Sequence, residues 1–133
     1  MDIQTHNKID YDLCGKPIEL SEGFSCVTLK TTSKMIVDDQ SLVHGGFVFG
    51  LADHAAMLAV NHPNVVLGSA SVKFLMPVQP DSILVAYGKV ISTDGKKQEV
   101  HVKVMRDEEV VFDGLFICFT LKEHVLKATK GNS

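Results

Sequence analysis

Cysteine is scarce in this chain of 133 residues: Cys14, Cys26 and Cys118 lie far apart, with no C-x-x-C. An odd count at that spacing argues against a disulfide framework or a structural zinc site and leaves reduced thiols as the expectation. A charge of one sign is missing too. Lys and Arg number 13 against 16 Asp and Glu, a formal net charge of −3, and apart from Lys96-Lys97 the basic residues are scattered. Nucleic acid calls for a strongly basic face, so none is expected as a partner. No long hydrophobic run is present: the longest, Phe47 to Val60, carries Asp53 and His54 and is too short and too polar to span a membrane. The opening MDIQTHNKID lacks a basic segment followed by an apolar core, so no signal peptide is evident and the cytoplasm is the expected location. Repeats and low-complexity segments are also absent. With 45% hydrophobic and 22% charged residues, the chain is expected to form one globular domain over 1–133 with a sizeable core.

What is there falls into an order of elements. Residues 1–22 carry no clear pattern, with Gly15 and Pro17 interrupting any regular element. GFSCVTLKTTSKMI (23–36) is rich in β-branched residues and predicts a first strand. The polar DDQSLV (38–43) connects it to a run over 44–61 that is too long for a strand and apolar on all sides, which predicts a buried helix. Pro63 stops it. Strands are then expected over 65–78, broken by Pro77 and Pro80, and over 82–93, 98–106 and 110–122, with DGKK as a hairpin turn. The tail from Glu123 is expected to fray. One long helix among strands joined by short turns is an α+β pattern, an antiparallel sheet wrapped around the helix, with its core about 23–122. One small sheet does not cover a helix that is apolar all round, so a second copy of the chain is the expected cover.

The helix carries the chemistry. Gly45 and Gly46 open it, where backbone N–H groups have no intrahelical partner and, with the helix dipole behind them, can hold a developing negative oxygen. Gly46, Gly50, Asp53 and Met57 fall in one stripe, and its two glycines let another backbone approach where Asp53 points. A desolvated carboxylate there has a raised pKa, as suits a general base or a nucleophile. Gly45 and Asp53 are about 12 Å apart along one helix, too far to act on one carbonyl. Two antiparallel copies bring Gly45 of one to Asp53 of the other. His44, His54 and His62 do not share a metal-binding face, so no metal is expected.

HGGFVFGLADHAAMLAVN strongly resembles the helix motif H-G-G-x-x-F-x-L-A-D-x-A of hotdog-fold acyl-CoA thioesterases, notably the phenylacetyl-CoA thioesterase-like group. SVKFLMPVQPDSILVAYGKVISTDGKKQEVHVKV resembles that family's following strands. The resemblance implies a hotdog fold, a homodimer or dimer of dimers, and hydrolysis of acyl-CoA thioesters with no cofactor. It implies that Gly45 N–H polarises the thioester carbonyl while the partner's carboxylate, at the position of Asp53, activates water or attacks directly. His44 and Gly46 fix the entry loop beside that donor, Gly50 leaves room, and Ser69 or Ser71 helps hold the water. Gly95, Lys96 and Lys97 match a turn near the pantetheine and phosphates. Asp38 stands where the family usually has Asn, and Ser41 where Gly is common; an ionised Asp cannot donate to the thioester as Asn can. Were Asp38 to reach Asp53, like charges would raise one pKa.

The overall pattern also resembles the effector domain of bacterial lipid-synthesis repressors, which bind malonyl-CoA. A non-hydrolytic acyl-CoA sensor acting through a protein partner is therefore the alternative. Some 22 residues ahead of the first strand are too few for a helix-turn-helix module. The dehydratase pattern of this fold does not appear in DDQSLVHGG.

Overall fold

The structure, a computed structural model, describes residues 1–131. Its elements are α1 (Tyr11–Cys14), β1 (Lys16–Ser21), β2 (Phe24–Lys30), a 3₁₀ turn at Ser33–Met35, α2 (Gly45–Val60), β3 (Val65–Phe74), β4 (Ile83–Asp94), β5 (Lys97–Arg106), β6 (Glu109–Thr120) and α3 (Val125–Gly131). The strands form one antiparallel sheet in the order β1-β2-β4-β5-β6-β3. That is the hotdog arrangement, with α2 lying across the sheet.

Alternation builds the core. Val100, Val102 and Val104 of β5, Leu84 and Ala86 of β4, and Phe112 and Phe116 of β6 are fully buried beneath α2, as period-two strands require when one face is covered. Alanines at 52, 55, 56 and 59 let the helix settle close to the sheet. Gly88 on β4 allows the closest approach. A Cβ there would meet the Ala55 carbonyl oxygen at 2.7 Å, and Ser25 Oγ donates to that same oxygen.

Three expectations change. The strand expected over 23–36 ends at Lys30, because the Thr31 hydroxyl turns to the Gln79 and Ser82 carbonyls. The strand expected over 65–78 ends at Phe74, ahead of Pro77. The tail is not frayed throughout: residues 125–131 are helical, while 132 and 133 lie outside the described residues.

Residues 1–22 hold structure that the sequence hid. Asp10 caps α1 by accepting from the Asp12 and Leu13 N–H groups, and Gly15 turns at φ +96° against Leu51 and Val27. His54 Nδ1 pairs with the Cys14 carbonyl at 3.1 Å, the Tyr11 ring stacks on His54, and the Asn61 side chain bonds Gln4 N and Asp2 O. β1 accommodates Pro17 because it is an edge strand. This segment covers one flank of α2 that the sequence assigned wholly to a second copy. Among the described residues, no helix is long and apolar enough to cross a membrane.

Candidate active site

The entry to α2 is tightly fixed. Val43 N donates to the Val78 carbonyl and His44 N to the Met35 carbonyl, both within 2.9 Å. His44 is the N-cap at φ −61°, ψ 132°, and its Nδ1 accepts from Gly46 N–H at 2.6 Å. That places the His44 ring proton on Nε2. Phe47 N–H goes to the His44 carbonyl. Of the first three amides, Gly45 N–H alone meets no acceptor among the described residues. Gly46 is therefore a partner of its own cap and not a ligand donor. Phe74, at the end of β3, lies over Gly45: a Cβ on this glycine would come within 3.2 Å of the Phe74 ring. Phe74 is thereby a neighbour of the site.

Asp53 lies two turns further on, half-buried, and its Oδ1 is buried without a hydrogen-bond partner. Burial alone raises its pKa, from 3.8 to about 6. Cys118 on β6 feels this carboxylate: burial, then the charge of Asp53, pushes the thiol up to about 12. Gly50, one turn before Asp53, has nothing within 4 Å of where a Cβ would be. The stripe is thus open at Gly50, beside Asp53, while at Gly46 the His44 ring fills the space, a Cβ there meeting Nδ1 at 2.7 Å. β3 is a sheet edge whose residues 68–71 are all exposed. An unsatisfied carboxylate oxygen, an open helix flank and an unpaired strand edge coincide.

The other expected residues distribute unevenly. The Asp38 carboxylate accepts from Gln40 and Leu42 N–H in its own exposed loop, and no charge of Asp38 contributes to the shift of Asp53. Within one chain the two carboxylates are not a coupled pair. Ser41 adopts φ +64°, a conformation that explains why glycine is common there.

Ser69 and Ser71 are a correction. A bulge at Gly68 shifts the β3 register between Leu67 and Ser69. Leu67 pairs with buried Cys118, but beyond the bulge Ala70 pairs with Phe116 and Val72 with Gly114. Ser69 and Ser71 fall opposite Ile117 and Leu115, on the sheet face away from α2, and cannot hold a water at Asp53. Gly95 (φ +60°) and Lys96 form the tight turn between β4 and β5, and Lys97 opens β5. The Lys96 carbonyl accepts from Thr120 N, which places this hairpin at the Val65 end of β3, opposite to Gly45.

Residues 40–112 match the model of the thioesterase superfamily. The chain is 50% identical over 116 residues to the methylthioribose-1-phosphate isomerase of Aquifex aeolicus (strain VF5), covering 87% of this chain and 25% of that protein. It is 31% identical over 117 residues to the transcription factor FapR of Caldanaerobacter subterraneus subsp. tengcongensis, covering 87% of this chain and 58% of FapR. Less than two thirds of either relative's length is spanned. Among solved structures, an uncharacterized protein from Pyrococcus horikoshii has 53% identity and a TM-score of 0.94, covering 95% of this chain and 97% of that one.

Proposed function

Because the chain belongs to the thioesterase superfamily, we propose that it is an acyl-CoA thioesterase whose site is completed by a second copy. The carrying observation is the buried, unpartnered Oδ1 of Asp53 beside the open flank of α2 and the unpaired edge of β3. Two copies joined antiparallel along β3 close both openings. They bring the Gly45 N–H of one copy toward Asp53 of the other, and the Lys96-Lys97 hairpin of one toward the Gly45 end of the other. A dimer of dimers is compatible with the same pairing.

The reaction needs water and no cofactor. Ionised Asp53 takes a proton from water, whose oxygen adds to the thioester carbon, or adds there itself with water resolving the anhydride. Gly45 N–H stabilises the oxyanion, reinforced by the helix dipole. The C–S bond breaks and CoA leaves as the thiol with the proton taken from water; on the covalent route it leaves as the thiolate, which takes up the proton released when water hydrolyses the anhydride. Lys96 and Lys97 of the hairpin are placed for the CoA phosphates. The test is free-thiol release from a panel of acyl- and aryl-acyl-CoA esters. Asp53→Asn is expected to lower kcat/KM at least about a hundredfold; wild-type turnover on no ester, despite tight binding, contradicts the reading.

One observation favours a second reading, a non-hydrolytic acyl-CoA sensor. Beyond the Gly68 bulge, the α2 side of β3 carries Ala70, Val72 and Phe74, with no hydroxyl to hold a water, and Asp38 is engaged in its own loop. The similarity to a transcription factor accords with it. Saturable ester binding without thiol release supports this second reading.

A further inference from the structure

A second cavity, of about 720 Å³, lies away from Asp53, between α1, the start of β1, the end of β2 and the 3₁₀ turn. Three lysines from three different elements line it, Lys16, Lys30 and Lys34. None of the three makes an ion pair among the described residues. Two carboxylates also line the cavity, but that of Asp10 is occupied in capping α1. Three lysines against two carboxylates give this lining a formal charge of +1 on a chain of net charge −3. Its wall is not only charged. Tyr11 and Leu13, each 43% exposed, stand beside buried Leu29, and the Tyr11 ring is held by stacking on His54 at 6.3 Å. Thr32 and Ser33 line the same cavity, and Thr32 makes no side-chain cap hydrogen bond to the 3₁₀ turn.

Three lysines lining one cavity beside an exposed aromatic ring match a ligand that carries phosphate at one end and a flat ring at the other. Phosphate takes charge-assisted hydrogen bonds from lysine, and a base stacks on tyrosine. The volume is within the range of small-ligand sites. We propose that this cavity binds a phosphorylated nucleoside, its phosphates on Lys16, Lys30 and Lys34 and its base on Tyr11. The nucleoside is a free nucleotide, the CoA phosphates being assigned to Lys96 and Lys97; the nucleotide end of a CoA ester carries the same chemistry and is the source that the experiment separates. An acidic peptide would use the lysines but has no need of the ring.

The probe is adenosine 3′,5′-bisphosphate, titrated by calorimetry into the Asp53→Asn protein, so that binding is read independently of hydrolysis. One saturable site per chain is expected, weakening as salt rises because the cavity is open. The exposed double reversal Lys30→Glu with Lys34→Glu is expected to weaken binding more than tenfold. Tyr11→Ser is expected to weaken it about tenfold, and Tyr11→Phe, which keeps the ring, to retain it. Absence of binding to the Asp53→Asn protein, equal binding once the double reversal is added to it, or indifference to Tyr11→Ser overturns the proposal. The source is read from wild-type Asp53 background: a KM raised by the double reversal for acyl-CoA but not for acyl-pantetheine assigns the cavity to CoA. An unchanged KM for both, with bisphosphate binding lost, assigns it to a free nucleotide.

Discussion

Asp53 is held at about 6 because it is removed from water with one oxygen unpaired. Between its ordinary 3.8 and about 6, the folded chain keeps a proton that the unfolded chain has released. Stability is therefore lost as pH rises through that window and is level above it. Asp53→Asn removes the loss. The variant is expected to be more stable than wild type at pH 7.5, by roughly 3 kcal/mol at most, with the difference closing below pH 4. Urea midpoints at the two pH values measure this, and a gap independent of pH contradicts it. Activity has the opposite dependence: kcat/KM is expected to rise through about pH 6, where the base form appears. The aspartate was legible as a carboxylate within an apolar run. The division of labour at the glycines was not, since only the geometry of the His44 ring reveals that Gly46 N–H is already taken and Gly45 N–H is free.

The closest approach of α2 to the sheet, beside its buried alanines, is at Gly88. Gly88→Ala places a methyl 2.7 Å from the Ala55 carbonyl and 2.9 Å from Ser25 Oγ, and backbone cannot yield as a flexible side chain can. A loss of about 1–3 kcal/mol is expected in chemical denaturation; an unchanged midpoint contradicts the packing described. The helix itself was legible almost to the residue, because its length, its alanines and Pro63 agree. β1 was not, since Pro17 argues against a strand unless the strand is known to be an edge. On β3 simple alternation from Val65 puts Ser69 and Ser71 on the helix side. One extra residue at Gly68 reverses them, and a bulge leaves no local signal beyond the glycine.

For the whole molecule, the proposed pairing along β3 means that each site draws on two chains. One helix cannot place Gly45 and Asp53 on the same carbonyl, being about 12 Å apart, and the surfaces left open in one chain are those that a two-fold pairing along β3 closes. Two inactive variants can separate the halves. Asp53→Asn removes the base. Gly45→Pro removes the oxyanion donor at the first helical position, where proline is favoured, after a residue already in the extended conformation that proline requires; Phe74, 55% exposed, is free to give way. Each variant alone is expected to be inactive on acyl-CoA esters. When the two are co-expressed and purified together, mixed pairs contain one site with both groups intact. Thiol release is then expected to return to about a quarter of wild type, from half the pairs being mixed with one of two sites restored. Recovery at that level is the result the shared site predicts; no recovery from mixed pairs, with both variants folded and paired, contradicts it.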